Sequence, residues 1–240
     1  MVGIGPGSAL DRTRRAEDAV RNSTVIAGYG RYLDLIGDLV SGQERIVTGM
    51  TKEVERCRAA LNKAREGHVV ALVSSGDAGI YGMAGLAIEI AAEEGIDVPI
   101  EIVPGITSAS AAGARMGAPL MCDYAAISLS DLLVPWEVIR ARLEAAAFAD
   151  LVAALYNPRS RKRTKQLEEA AAIFRKHRPG GTPVGIGTDI GTPEEKIVAS
   201  DLDRFLDEEI GMRSIVIIGN RSSKFLQGWI VTPRGYKLSF

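Results

Sequence analysis

Short runs of β-branched and apolar residues alternate with longer segments of helical period through the first half of the chain. This alternation is typical of βα units, in which strands and helices take turns around a mostly parallel sheet. The pattern therefore predicts the α/β fold class. The predicted strands cover residues 2–4, 24–27, 46–47, 69–73 and 100–103. The predicted helices cover residues 11–22, 32–39, 52–66, 79–94 and 108–116, with Thr51 as the N-cap of the third.

The alternation of strands and helices restarts after residues 113–119, where a small-residue helix end is followed by Gly-Ala-Pro. We therefore predict an N-terminal α/β domain over residues 1–117 and a C-terminal domain over residues 118–240. Two strands near Gly187 and Ile197 follow each other without a helix between them, which favours a mixed sheet in the second domain. The predicted strands there cover residues 125–129, 151–155, 184–187, 196–199 and 214–218, and the predicted helices cover residues 136–148 and 161–177.

Composition argues against several classes of function. The chain has 29 Lys and Arg against 30 Asp and Glu, a formal net charge of -1. The overall electrostatic field of the chain therefore does not favour binding to nucleic acid or to a membrane surface. Cys57 and Cys122, the only cysteines, stand in no metal-binding spacing, and no protein-bound metal is expected. The first residues lack the pattern of a signal peptide, and no apolar run is long enough to span a bilayer. We expect a cytoplasmic protein that binds neither nucleic acid nor membrane.

Three glycine-bearing loops follow predicted strands of the first domain, at residues 3–7, 74–82 and 103–108. The carboxyl ends of parallel strands meet at one edge of an open sheet, where ligands bind. Glycine lets the backbone approach a ligand that a Cβ would exclude. The loops therefore predict a cofactor site in which Asp77 accepts hydrogen bonds from ribose hydroxyls or an amino group. Two alternatives stay open: tight turns without a ligand, and Asp77 as the cap of the following helix. The dinucleotide-binding fingerprint fails, because Ser8 stands where its third glycine would be.

A basic run follows the strand predicted at residues 151–155, with five cations in the seven positions 159–165. Arginine near the end of a strand is a good bidentate partner for carboxylates, so the run could bind a polyacidic substrate. The alternative is an ordinary solvated helix face. The only imidazoles, His68 and His177, lie beside predicted helix ends, and neither is expected to be catalytic.

Together, the loops at residues 3–7, 75–82 and 104–108 resemble the three cofactor loops of the tetrapyrrole methylase family, whose members act on cobalamin and siroheme precursors. Longer strings resemble the members of that family that methylate C17 of a corrin precursor, and they span nearly the whole chain. These strings are residues 48–50, 53–57, 74–85, 127–133 with 135–136, 156–161 and 232–236.

The resemblance implies two α/β domains, of which the first has a mostly parallel sheet and the second a mixed sheet. It also implies that cofactor and substrate bind in the cleft between the domains, and that the protein is a homodimer. It implies methylation of cobalt-precorrin-3B or cobalt-factor III at C17 by S-adenosylmethionine, with ring contraction towards cobalt-precorrin-4. Ala78 and the pair Leu132-Leu133 resemble the enzymes of the anaerobic branch more than those of the oxygen-dependent branch. In the anaerobic branch, cobalt arrives inside the macrocycle. The alternatives are the oxygen-dependent precorrin-3B enzyme, a diphthamide or ribosomal RNA methyltransferase of the same fold, and a non-catalytic nucleotide-binding module.

The resemblance also implies which residues form the site. The residues implied for the S-adenosylmethionine pocket are Gly5, Pro6, Gly7, Ser75, Gly76, Asp77, Ile80, Tyr81, Thr107, Ser108, Tyr156, Asp189 and Ile190. The tetrapyrrole is expected to contact Ser130, Asn157, Arg159 and Arg161. Candidates for proton transfer during ring contraction are Asp123, Ser130 and Asp131, with Arg159 as a further one. Each candidate has an alternative role: Ser130 or Asp131 as a helix cap, Asp123 in a turn, and Arg159 as a carboxylate ligand alone.

Overall fold

The computed structural model describes residues 1–237 and has the predicted α/β fold. Contacts divide the chain into two compact units, Met1–Ser108 and Ala109–Phe240. The domain boundary predicted after residue 117 stays a prediction. Among the described residues, no helix is both long enough and apolar enough to cross a membrane.

The first unit is built on a parallel sheet. Its strands are β1 (Val2–Gly3), β2 (Val25–Tyr29), β3 (Glu44–Thr48) and β4 (Val70–Ser74), in the spatial order β1-β4-β2-β3. A parallel bridge between Val2 and Val103 adds one more segment beside β1. The carboxyl ends of β4, β1 and this segment therefore lie side by side. The helices are α1 (Arg14–Arg21), α2 (Gly30–Asp34), α3 (Glu53–Arg65) and α4 (Ala84–Glu93), with 3₁₀ turns at Ala9–Asp11 and Gly37–Leu39.

The strands of this sheet are apolar at successive positions because both faces of the sheet are buried. Ile26 and Val73 pack on one face in a cluster with α1 and α2. Their chain neighbours Ala27 and Leu72 pack on the other face with α3 and α4. Burial on both faces is characteristic of parallel sheets, and it explains why these strands carry unbroken apolar runs.

The second unit contains a mixed sheet, as its two adjacent predicted strands indicated. Its strands are β6 (Tyr124–Ser128), β7 (Val152–Tyr156), β8 (Pro183–Thr188), β9 (Lys196–Asp201) and β10 (Ser214–Ile218), in the order β6-β7-β10-β8-β9. β6 and β7 are parallel, whereas β10 runs antiparallel to both β7 and β8. β6, β7 and β8 thus point the same way, and their carboxyl ends share one edge of the sheet. The helices are α5 (Ser108–Met116), α6 (Trp136–Phe148) and α7 (Lys165–Arg175), with a 3₁₀ turn at Phe205–Asp207.

A small sheet in the second unit was not predicted. It consists of β5 (Gly117–Ala118), β11 (Lys224–Leu226) and β12 (Trp229–Val231). β11 and β12 form a hairpin whose two turn residues, Gln227 and Gly228, both have positive φ. These strands have two or three residues each, too few to show a period in the sequence.

Several predicted elements begin at different residues in the structure. The strand predicted at 100–103 makes only the single bridge at Val103. The helix predicted from residue 79 begins at Ala84, because the loop before it folds back and the Ala84 nitrogen donates to the Ala78 carbonyl at 3.0 Å. Thr51 is not an N-cap: its φ is 65°, and the N-cap position of α3 is Lys52.

The helix predicted from residue 161 begins at Lys165. The intervening residues form a tight turn in which Ser160 and Arg163 exchange backbone hydrogen bonds of 2.9 and 3.3 Å. This turn satisfies the backbone groups that a longer helix would have used, so α7 begins after it.

Candidate functional site

The three glycine-bearing loops of the first unit contact one another at the carboxyl edge of the sheet. Gly5 and Gly76 exchange backbone hydrogen bonds of 3.0 and 2.7 Å. The Gly3 nitrogen donates to the Val103 carbonyl at 2.9 Å, and the Ile4 nitrogen donates to the Ser74 carbonyl at 3.0 Å. The structure therefore brings the loops together into one rim.

Two glycines of this rim, Gly3 and Gly105, are required by contacts between the loops themselves. A Cβ on Gly105 would overlap the Gly76 carbonyl oxygen and lie 2.7 Å from the Gly3 carbonyl carbon. A Cβ on Gly3 would lie 2.7 Å from the Gly105 nitrogen. The sequence suggested that glycine is needed for close approach to a ligand, but at these two positions it is needed so that the loops can pack against each other.

Asp77 connects two of the loops through its carboxylate. Oδ1 accepts a hydrogen bond from the Gly79 nitrogen at 2.8 Å, and Oδ2 accepts one from the Gly105 nitrogen at 2.9 Å. Asp77 does not cap α4, whose N-cap position is Met83. A carboxylate oxygen has more than one acceptor position, so each oxygen of this half-buried side chain can still accept a hydrogen bond from a ligand.

The rest of the rim combines polar backbone with exposed apolar side chains. Ile80 and Tyr81 are exposed after Asp77, and Ile106 is exposed on the third loop. The other predicted residues of the rim are the half-buried Pro6, Gly7, Ser75, Gly76 and Ser108 and the buried Gly5 and Thr107. A surface of this kind can hold a ligand with both a flat apolar part and several hydrogen-bonding groups.

In the second unit, the loops after β6 and β7 are joined through Ser128. Its Oγ accepts hydrogen bonds from the Ser130 nitrogen at 3.2 Å and from Asn157 Nδ2 at 3.1 Å. Asn157, the first residue after β7, has a φ of 49°. Ser130 and Asn157, both predicted to contact the substrate, are thus brought to one place.

Arg163 also joins these loops, and sequence reasoning did not distinguish it from the other cations of the basic run. Its Nη1 donates to the Leu129 carbonyl at 3.0 Å, and its Nε lies 3.9 Å from Asp131 Oδ1. The side chain is 11% exposed. Burial lowers the pKa of the Arg163 guanidinium, and the nearby Asp131 carboxylate partly offsets this shift. Asp131 Oδ2 also accepts a hydrogen bond from Gln166 Nε2 at 2.7 Å.

The other predicted substrate and proton-transfer residues fall into two places. Arg159 is half-buried beside Glu168, and its buried Nε has no hydrogen-bond partner within residues 1–237. Arg161 is exposed on the same loop. Asp123 precedes β6, at the opposite edge of the sheet from Ser130 and Asp131. The structure therefore does not bring Asp123 together with the other two candidates.

The three predicted cofactor residues of the second unit lie near the carboxyl ends of β7 and β8. Asp189 is buried, has a φ of 50°, and pairs with Arg213 at 2.9 Å. The Ile190 side chain is buried in a core cluster, so only its backbone is available to a ligand. The Tyr156 hydroxyl accepts a hydrogen bond from the Ala109 nitrogen, in the first turn of α5, at 3.3 Å.

In the part of the chain that the structure describes, no group of three or more His, Cys, Asp and Glu side chains could hold a metal ion.

Known proteins of related sequence are similar to this chain over nearly its whole length. The "Cobalt-factor III methyltransferase" of Priestia megaterium is 45% identical over 244 residues, which are 100% of this chain and 45% of that protein. The "Probable cobalt-factor III C(17)-methyltransferase" of Salmonella typhimurium (strain LT2) is 43% identical over 99% of both chains. The chain thus spans about half the length of the first relative and nearly all of the second.

A solved structure has the same fold. The crystal structure of the methyltransferase CobJ matches with a TM-score of 0.89 and 35% sequence identity, covering 97% of this chain and 98% of that one. Independently, the sequence profile described as "Tetrapyrrole (Corrin/Porphyrin) Methylases" matches residues 1–205. These matches confirm the resemblance found in the sequence, and the chain belongs to the tetrapyrrole (corrin/porphyrin) methylase family.

Proposed function

We propose that this protein transfers a methyl group from S-adenosylmethionine to C17 of a cobalt-containing corrin precursor. The substrate is cobalt-factor III or cobalt-precorrin-3B, and methylation is accompanied by ring contraction towards cobalt-precorrin-4. The observation that carries the proposal is the contact of three loops at one rim of the parallel sheet, in a chain of the tetrapyrrole methylase family. The Salmonella relative, which matches over 99% of both chains, is named as a C(17)-methyltransferase, and this name supports C17 as the carbon that is methylated.

The residues of the rim fit S-adenosylmethionine. Bound there, it would supply an electrophilic methyl group on a sulfonium. The exposed Ile80, Tyr81 and Ile106 suit the apolar face of an adenine, whereas Asp77 and the backbone of the three loops suit ribose hydroxyls and an amino group. The residues of the first unit proposed to hold it are Gly5, Pro6, Gly7, Ser75, Gly76, Asp77, Ile80, Tyr81, Thr107 and Ser108. For Tyr156, Asp189 and Ile190, which belong to the second unit, a cofactor contact stays a prediction from the resemblance.

The loops after β6 and β7 suit a polycarboxylate. We propose that Arg159 and Arg161 bind carboxylates of the tetrapyrrole, with Ser130 and Asn157 beside them. Arg159 Nε is buried and has no hydrogen-bond partner among the described residues. This supports the proposed role, because a buried guanidinium donor without an acceptor is costly unless a ligand supplies one. Asp131 and Ser130 are the proposed groups for proton transfer to or from the ring. Asp123 is left out of this group because it lies at the other edge of the sheet.

The protein's contribution to methyl transfer is mainly geometric. An enamine-like ring carbon is already nucleophilic, so no strongly basic side chain is needed to create the nucleophile. Two loops tied by Ser128, Asn157 and Arg163 can hold the macrocycle in a fixed orientation, and orientation of two reactants accounts for a large part of the barrier reduction in such reactions.

A homodimer and a cytoplasmic location belong to the same proposal. The homodimer rests on the resemblance of the sequence to the family, and the cytoplasmic location is the expectation from the sequence itself. Light scattering on the purified chain tests the dimer, since a protomer of 25.6 kDa should give twice that mass.

An anaerobic assay tests the proposed reaction. The protein is incubated with S-adenosylmethionine and either cobalt-factor III or its metal-free counterpart, and the products are followed by mass spectrometry and visible absorption. One added methyl group at C17 on the cobalt-bearing substrate is expected. Asp131→Asn should slow the later ring contraction, whereas Glu144→Gln, an exposed carboxyl on α6, should behave as wild type. Absence of methylation on both substrates would contradict the proposal.

A further inference from the structure

Leu132 and Leu133 are 75% and 91% exposed, in the loop between β6 and α6. The residues that follow behave differently, since Val134 and Trp136 pack against the core of the second unit. The two leucines are therefore the large apolar side chains of this loop that the fold leaves exposed. A contiguous exposed apolar surface in a folded chain marks a binding site more often than an isolated exposed leucine does.

The loop that carries the leucines is held at both ends. Before them, Arg163 binds the Leu129 carbonyl and Gln166 binds the Asp131 carboxylate. After them, Trp136 Nε1 donates to Glu169 Oε2 at 2.8 Å. The leucines thus stand at a defined place beside Asp131.

The neighbouring loop after β7 carries several cations. The loop at residues 157–163 is joined to the Leu129–Asp131 segment through Ser128 and Arg163. It contributes the exposed Arg161, together with Arg159, whose Nε has no partner in the part of the chain that the structure describes. A ligand that contacts both the leucines and these arginines must combine an apolar surface with anionic groups. A tetrapyrrole has this combination, with a flat macrocycle and carboxylates on its side chains.

We propose that Leu132 and Leu133 contact the flat face of the tetrapyrrole macrocycle and so contribute to the choice of substrate, while the neighbouring arginines bind its carboxylates. This inference rests on the proposed function and adds to it an apolar contact that the polar candidates do not provide.

The test compares two ligands and two variants of the full chain. The ligands are uroporphyrin III, which has a macrocycle and carboxylates, and benzenehexacarboxylate, which has carboxylates without a macrocycle. Leu132→Ser/Leu133→Ser should weaken uroporphyrin III binding by about tenfold or more, because two leucine contacts are lost. Binding of benzenehexacarboxylate and S-adenosylhomocysteine should not change. The matched control is Phe148→Ser, at the far end of α6, where a 79% exposed aromatic is replaced.

Three results would overturn the inference. The first is wild-type affinity of the double variant for uroporphyrin III. The second is an equal loss of affinity for both carboxylate ligands, which would place the defect in the arginine loop. The third is a change of oligomeric state in the double variant alone, which would assign the leucines to a contact between two copies of the chain. Wild-type protein that binds neither uroporphyrin III nor S-adenosylhomocysteine would instead remove the proposed function, and this inference with it.

Discussion

The Oδ2 atom of Asp77 lies 2.9 Å from the backbone nitrogen of Gly105, 28 positions further along the chain. The other carboxylate oxygen accepts a hydrogen bond from the Gly79 nitrogen. One side chain thereby holds together two of the loops proposed to form the S-adenosylmethionine pocket. Asp77 can act on the cofactor both directly and by fixing the loops around it.

Replacement of Asp77 should weaken cofactor binding without unfolding the chain. In Asp77→Asn, one acceptor oxygen becomes an NH₂ donor that faces a backbone N–H, and in Asp77→Ala both backbone donors lose their partner. We expect affinity for S-adenosylhomocysteine to fall about tenfold or more in both variants, since an unmet donor costs roughly 1–3 kcal/mol. Calorimetry measures the affinity, with Asp97→Asn, an exposed carboxyl, as the control. Wild-type affinity in Asp77→Ala would show that the pocket lies elsewhere.

Gly105→Ala should destabilise the first unit. The added methyl group would overlap the Gly76 carbonyl and lie 2.7 Å from Gly3, and forced overpacking costs about 1–3 kcal/mol. Urea unfolding measures the change in the free energy of unfolding. Gly37→Ala is the matched control, because a Cβ there meets no atom within 4 Å. Equal stability of the two variants would mean that the loops can separate at little cost.

Arg163→Ala should impair use of the tetrapyrrole more than use of S-adenosylmethionine. The substitution leaves the Leu129 carbonyl without this donor and removes the cation beside Asp131, so the loop after β6 is held less firmly. We expect a raised KM for the tetrapyrrole and an unchanged affinity for S-adenosylhomocysteine. Arg163→Lys should restore function only in part, because an ammonium keeps the charge but not the fork of donors.

The control for Arg163 is Arg142→Ala, which removes an exposed cation from α6. Urea unfolding of all three variants shows how much of any effect comes from stability. A variant that loses affinity for both ligands equally would speak against a positioning role and for a general structural one.

The ion pair between Arg12 and Asp38 should make stability depend on pH in the acid range. Arg12 donates to both carboxylate oxygens of Asp38, at 3.0 and 2.7 Å. These bonds lower the pKa of the Asp38 carboxyl below its usual value, although burial partly opposes the shift. The folded protein therefore holds the charged form more strongly than the unfolded chain does. The pair's contribution is present above the unfolded pKa of about 3.9 and is lost as the pH falls through the lower folded value.

Asp38→Asn tests this dependence. Near neutral pH the variant should be less stable by about 1 kcal/mol, since the Asp38 side chain is half exposed and solvent screens the pair. The difference from wild type should shrink as the pH falls below about 4. Urea unfolding at a series of pH values measures the difference in the free energy of unfolding between wild type and variant. A difference that grew towards acid pH would contradict the assignment of this pH dependence to the Arg12–Asp38 pair.

Much of the fold follows from local patterns. The helix Trp136–Phe148 and the strand Ser214–Ile218 were predicted with the bounds that the structure has. Both carry a clear period or an apolar run within the element itself. The three glycine loops were also predicted at the correct edge, because the direction of parallel strands determines where their carboxyl ends lie.

The sequence by itself determined the α/β class, the family and the loops that form the rim, since each can be recognised from short runs of consecutive residues. Only the tertiary structure decided that Arg163 turns inward while Arg161 stays exposed, because its partner, the Leu129 carbonyl, is 34 residues away. It likewise decided that the Asp77 carboxylate accepts a hydrogen bond from the Gly105 nitrogen. Contacts of this kind depend on which strands become neighbours, and that choice is made by packing of the whole unit and not by the residues on either side.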